Sequence, residues 1–278
     1  MSLAAPPRSL LFVPGSRPDM IAKLPRAGAD ISVVDLEDAV AAGEKDAARI
    51  PALAAVAELT GAAGVVVVRL NAMDTEWFEA DLAAAAQSLS EGGVGGVVLP
   101  KYEQVGQLEL LRARLPEGAV IVVGLETALG VADSRPLLAA GPDAAYFGAE
   151  DYIADVGGER TAESTEVLYA RSHTLLGAHL AGVAALDQAV MSIRDDERFR
   201  ADAAAGRAIG YTGKICVHPR QVVLAHEVFS PTEAQLAHAR AVLDIAEAGG
   251  VGTVDGQMVD DVHVRMARQV LARVRPAP

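Results

Sequence analysis

The 278 residues are 51% hydrophobic, carry a formal net charge of −13 at pH 7 and include one cysteine, Cys216. So acidic a surface excludes nucleic acid as the main partner, because phosphate binding needs clustered Lys and Arg, although a few local cations can still hold one small anion. A lone cysteine excludes an internal disulfide, no apolar run approaches the roughly 18 residues of a membrane span, and MSLAAPPRSLLFVPG lacks the long apolar stretch of a secretory leader, so a cytoplasmic protein is expected.

In chain order, short Val/Ile-rich runs occupy residues 10–13, 31–36, 65–70, 94–99, 120–125, 144–147, 183–186 and 214–217. Most are continuously apolar instead of alternating, as expected for parallel strands covered on both faces. Between them lie Ala/Leu-rich stretches with helical spacing, for example 47–59, 77–89 and 105–115. Eight strand–helix alternations favour a (β/α)8 TIM barrel over an open sheet, and residues 1–230 are assigned to it.

Residues 231–278 remain as a helical extension. Residues 231–248 read as a helix with Thr232 as its cap, 249–256 as a Gly-rich break, and 261–274 as a last helix. A barrel needs one helix after its eighth strand, so this extension must pack outside, cover the mouth or reach a neighbouring subunit.

Active sites of such barrels lie at the C-terminal strand ends. Those ends carry Arg17, then Asp35, Glu37 and Asp38, Arg69 and Asn71, Lys101, Glu126, Glu150 and Asp151, Asp187, and His218. Glu126 and Asp151 follow successive strands, which predicts neighbours about 4.8 Å apart. Two such carboxylates repel unless a proton or cation intervenes, and magnesium is bound by one or two carboxylates plus water and substrate oxygens. The alternative is that each pairs with an Arg or caps the following helix. No Cys/His cluster points to zinc.

Arg69 closes the apolar strand VVVVR. It can grip a carboxylate or oxyanion, or form a salt bridge to Glu37 or Asp38 across the mouth. Lys101 reads as a partner of Glu37 or Glu103, or less readily as a Schiff-base lysine. Cys216 reads as a small buried hydrophobe, His218 as a local hydrogen-bonder and Trp77 as a helix packing residue.

Eight collinear segments then carry a resemblance: LLFVPGSRPDMIAK (10–23), GADISVVDLEDAV (28–40), VVVRLN (66–71), VVLPK (97–101), GLETALGV (124–131), FGAEDYIADVGG (147–158), GYTGKICVHPRQV (210–222) and GQMVD (256–260). The chain resembles the citrate lyase beta-subunit-like family of the HpcH/HpaI aldolase superfamily, which includes malyl-CoA and citramalyl-CoA lyases. The resemblance implies a magnesium-dependent carbon–carbon lyase acting on a 3-hydroxyacyl-CoA such as citramalyl-, malyl- or citryl-CoA and releasing a keto acid and acetyl-CoA. Its metal ligands fall on Glu126 and Asp151 and its substrate arginine on Arg69. Its coenzyme A cations fall on Arg17 and Lys23, and Lys101 joins them as a substrate-binding group. Its proton-transfer aspartate, shared with malate synthases, falls on Asp260, while Glu37 and Asp38 support the catalytic groups. Members form trimers or dimers of trimers in which the extension closes a neighbour's site.

One departure is the short segment 157–182, read as a Gly-started lid and one helix, which implies a reduced coenzyme A pocket. Two other readings stand beside it: a metal-dependent 2-keto acid aldolase acting on a free hydroxy-keto acid, which keeps the metal pair and Arg69 but needs neither Arg17, Lys23 nor a thioester, and a citrate lyase complex subunit acting on an acyl-carrier-protein thioester.

Overall fold

The structure is a computed structural model that describes residues 3, 5–59, 64–247, 252–254 and 256–275. The chain forms two compact units, Met1–His226 and Glu227–Pro278.

In the first unit eight parallel strands close a barrel in sequence order. They are β1 Ser9–Pro14, β2 Ile31–Asp35, β3 Val65–Arg69, β4 Gly96–Leu99, β5 Val120–Leu125, β6 Ala144–Phe147, β7 Ala184–Asp187 and β8 Gly213–Cys216. The expected runs fall on these strands within one or two residues at each end. The interior is filled by Leu10, Ile31, Val33, Val67, Val98, Val122, Tyr146, Leu186 and Ile215. Their neighbours Val34, Val68, Val97 and Val123 are also fully buried, because helices cover the outer face. Burial on both faces is why these strands read as unbroken apolar runs.

Asp187 ends β7 without reaching the mouth. It is fully buried, held by Arg171 from the helix Leu168–Ala181 and lying 3.3 Å from the Nζ of Lys214 in β8. Lys214 also pairs with Asp202 and donates to the Gln188 carbonyl at 2.7 Å. This cluster ties β7 and β8 to the surrounding helices. Cys216 is buried as expected, and burial pushes its thiol up to about 12. Nδ1 of His218 accepts from the Arg220 amide at 3.1 Å, the local bond expected of it.

The second unit pairs the helices Glu233–Glu247 and Asp261–Ala272 with an antiparallel hairpin, β9 Gly252–Val254 and β10 Gln257–Val259. Ala239, Val242, Val254, Val259 and Ala267 form its core. Thr232 accepts from the Gln235 amide at 3.2 Å, the expected cap. The Gly-rich break expected at 249–256 separates the two helices and contributes β9 of the hairpin, while residues 249–251 and 255 of it lie outside the described residues. Among the described residues no helix is long and apolar enough to cross a membrane.

Candidate active site

A cavity of about 400 Å³ opens at the C-terminal end of the barrel, lined among others by Phe12, Asp35, Asp38, Arg69, Glu126, Tyr146, Gly148 and Asp151. Its floor begins with a register pair. Asp35 and Arg69 are Cα partners across β2 and β3, so their side chains leave on the same face. Arg69 gives Nε and Nη2 to the two Asp35 oxygens at 2.7 and 2.5 Å. Its Nη1 lies 2.8 Å from Glu37 Oε2, off the N–H direction, and 3.5 Å from Asp38. Arg69 also sits 5.0 Å from the Phe12 ring centroid. The salt-bridge reading of Arg69 therefore holds, with Asp35 as its chief partner. That pairing was not anticipated, although two adjacent strands each closing on one charged residue, VVD and VVR, could have signalled it.

The run that carries Glu37 is fixed from beneath. Lys45 Nζ donates to the Leu36 and Glu37 carbonyls at 3.1 and 2.7 Å and to Asn71 at 2.5 Å. Asn71 in turn donates to the Leu36 carbonyl at 3.0 Å and to Asp81 at 2.7 Å. Trp77, expected on a helix packing face, instead precedes the helix Phe78–Ser90 as its N-cap, with its ring centroid 5.2 Å from Lys45 Nζ. Glu37 then meets Lys101 Nζ at 2.8 Å, the structural partnership anticipated for that lysine. Lys101 lies 4.0 Å from Asp151 and has φ +49.

Glu126 follows β5 and is 2% exposed. Its Oε1 accepts from the Lys101 amide at 2.9 Å and from the Tyr146 hydroxyl at 3.1 Å. The register partner of Leu125 is Phe147, so the residue opposite Glu126 is Gly148, not Asp151. A Cβ on Gly148 would come within 2.4 Å of Glu126 Oε2. Asp151 instead projects from the first turn of the helix Ala149–Val156. The expectation that Glu126 and Asp151 end adjacent strands is thus corrected: β6 stops at Phe147 and the chain turns into a helix before Asp151. Both still line the same cavity.

Burial pushes the Glu126 carboxyl up to about 8; Arg69 opposes this, while Glu37 and Asp151 add to it. Burial and then Asp38 raise Asp151 too, and burial raises Glu37. Four carboxylates here, Asp35, Glu37, Asp38 and Asp151, share ion pairs with Arg69 and Lys101, and Glu126 lines the same cavity. The donor set fits a small divalent cation. Glu126 Oε2 has no hydrogen-bond partner among the described residues, and a bound dication would reverse the penalty on both charged forms. No cluster of three or more His, Cys, Asp or Glu is placed to hold a metal among the described residues.

Arg17 and Lys23 converge on Asp19 at 2.8 and 3.4 Å and are more than half exposed. Neither is among the residues lining the cavity. Asp260, in the second unit, caps the helix Asp261–Ala272, accepting from the Val262 and His263 amides at 2.9 and 3.2 Å and facing His263 Nδ1 at 2.6 Å. The segment read as a lid is clasped by Arg160, which pairs with Glu166, with Glu150 at 2.9 Å and with Gln188 at 3.2 Å.

The profile of the family described as HpcH/HpaI aldolase/citrate lyase matches residues 8–219. The chain belongs to this family. A citrate lyase subunit beta-like protein of Deinococcus radiodurans is 49% identical over 96% of this chain and 98% of its own. Citrate lyase subunit beta of Escherichia coli K12 is 34% identical, covering 96% and 92%. The solved structure of CitE from Mycobacterium tuberculosis, in complex with magnesium, acetoacetate and coenzyme A, is 34% identical and superposes with a TM-score of 0.82 over 97% of this chain and 98% of that one. The chain is accordingly a citrate lyase beta-like carbon–carbon lyase on a TIM barrel.

Proposed function

We propose that this lyase uses magnesium to cleave, or in reverse to form, the carbon–carbon bond of a 3-hydroxyacyl-CoA thioester, with a keto acid and acetyl-CoA on the other side. The observation that carries the reading is that Glu126, Asp151 and Arg69 line one cavity of about 400 Å³ at the catalytic end of the barrel. Coenzyme A belongs to the substrate in this reading, which the CitE structure of similar fold supports by holding coenzyme A together with magnesium and acetoacetate.

Glu126 and Asp151 hold the cation. When bound, magnesium supplies Lewis acidity and lowers the pKa of the substrate's 3-hydroxyl. Arg69, fixed by Asp35 and Glu37, balances the negative charge that develops as the carbon–carbon bond breaks. Glu37 is held by Lys101 and sets the position of Arg69, with Asp38 on the open side. Arg17 and Lys23 bind the phosphates of coenzyme A in exchange for Asp19. Asp260 of a neighbouring subunit gives a proton to the methyl-forming carbon of the acetyl unit, or removes it during condensation.

The test is the purified chain with magnesium and malyl-, citramalyl- or citryl-CoA, reading keto acid release. At least one thioester is expected to be cleaved, and Glu126→Gln and Asp151→Asn are each expected to abolish cleavage and weaken magnesium binding in calorimetry. Unchanged magnesium affinity in both variants would sink the metal assignment. The aldolase reading gains one observation, the capture of Arg17 and Lys23 by Asp19, and predicts cleavage of a free hydroxy-keto acid with no thioester turned over. Turnover confined to an acyl-carrier-protein thioester would point to a complex subunit.

A further inference from the structure

Glu126 holds its two oxygens in unlike surroundings. Oε1 receives two protein donors, the Lys101 amide at 2.9 Å and the Tyr146 hydroxyl at 3.1 Å. A carboxylate oxygen has two lone-pair directions, so both are used. Oε2 receives none among the described residues, and it lies where Gly148 leaves room for it.

Each donor depends on an unusual local choice. The Lys101 amide reaches Oε1 from a backbone at φ +49, one of two positive-φ positions outside glycine among the described residues. A left-handed conformation is uncommon for lysine and carries a strain cost. Tyr146 is 2% exposed inside the barrel, opposite its register partner Gly124. A Cβ on Gly124 would stand 2.4 Å from the Tyr146 oxygen and 2.7 Å from Glu126 Oε1, so only glycine lets the hydroxyl lie there.

We infer that Lys101, through its main chain, and Tyr146 are positioning residues that restrict Glu126 to one-oxygen coordination and so select magnesium over calcium. The inference rests on the metal reading above. Calcium can take a carboxylate through both oxygens, and gains from doing so in its flexible shell of six to eight ligands, whereas magnesium requires a near-ideal octahedron that the narrow bite of a chelating carboxylate distorts. With Oε1 occupied, Glu126 offers the larger ion no second oxygen.

The ratio of magnesium to calcium affinity isolates this effect. Both ions are divalent, so the loss of the Lys101 charge changes both affinities together. Magnesium and calcium are titrated separately by calorimetry into wild type, Tyr146→Phe, Lys101→Asn, Lys101→Val and Glu126→Gln. Asn tolerates the left-handed backbone and keeps the amide in place, while β-branched Val does not. Tyr146→Phe and Lys101→Val are expected to lower the magnesium-to-calcium ratio roughly tenfold, the lower end of what loss of an outer partner costs a metal site. Lys101→Asn is expected to keep the wild-type ratio. A ratio unchanged in both Tyr146→Phe and Lys101→Val, while Glu126→Gln weakens both ions, overturns the inference and leaves the metal site standing. Unchanged binding of both ions by Glu126→Gln overturns the metal site and the inference with it.

Discussion

Arg69 gives both nitrogens of its fork to Asp35, and lysine cannot replace that grip. Arg69→Lys would leave Asp35, itself 2% exposed, with a point charge in place of two aligned donors. The predicted loss is at least ~2 kcal/mol of transition-state stabilisation, or roughly 30-fold in kcat/KM, comparable with removing one oxyanion donor. Near-normal turnover would assign Arg69 to the salt bridge alone. Lys101 carries the opposite prediction. Burial draws its amine down, but the hydrogen bond and charge of Glu37 outweigh burial and leave its pKa raised. A protonated, paired amine is no nucleophile, so borohydride with a keto acid should leave the protein mass unchanged. A stable adduct on Lys101 would favour imine chemistry. At this scale the charged residues of the site were legible because strand ends of a barrel filter the sequence. Tyr146 was not, because in AAYF it looks like any core aromatic and its hydroxyl's partner, Glu126, lies just past the end of the neighbouring strand.

Elements were legible where one physical rule dominates. Burial on both faces wrote the eight barrel strands as apolar runs, and the structure returns them nearly unchanged. Where two rules compete the reading slipped. Asp151 follows β6 closely enough to look like a strand end, yet Gly148 starts a helix first. The three-residue strands β9 and β10 are too short for alternation to show. Asp187 was placed at the mouth by the same strand-end filter, but it turns outward into the charge cluster of β7, β8 and their helices. That cluster predicts an acid response. Burial alone would raise Asp202, but Lys214 and Arg171 prevail and hold its pKa below the usual carboxylate range. A depressed folded-state pKa gives stability that is complete above the unfolded value, about 3.9, and is lost as pH falls below it. Wild type should therefore lose stability in urea between pH 5 and pH 3 more steeply than Asp202→Asn, which starts lower at pH 7. Parallel curves would remove Asp202 from the acid response. Arg171→Met, which strands the fully buried Asp187 carboxylate beside Lys214 alone, should cost ~3–5 kcal/mol at neutral pH.

The whole molecule raises a question that neither unit answers by itself, which is what the segment beyond the barrel does. A barrel count leaves residues 231–278 over, and the proposal gives them a neighbour's site to complete. Asp260 decides between that role and a plain helix cap, because its carboxylate already accepts two amides at the start of the helix Asp261–Ala272. The backbone and side chain of His263 hold its pKa below the ordinary range. It is thus charged and suited to take a proton during condensation, and in cleavage it must first be protonated, against the cap bonds that favour its charged form, before it can donate one. Asn caps helices as well as Asp does, so Asp260→Asn leaves the cap intact while removing the acid–base group. Unchanged thermal stability with a rate loss on the order of 100-fold supports proton transfer. Unchanged rate reduces Asp260 to a cap. Whether it serves its own chain or a neighbour is separable by mixing Asp260→Asn with Glu126→Gln under conditions that exchange subunits. Each parent lacks one half of every site, so activity can return only where an intact Asp260 from one chain meets an intact Glu126 in another. Recovery in the mixture is expected, and its absence despite verified exchange would place Asp260 within its own chain or outside the chemistry.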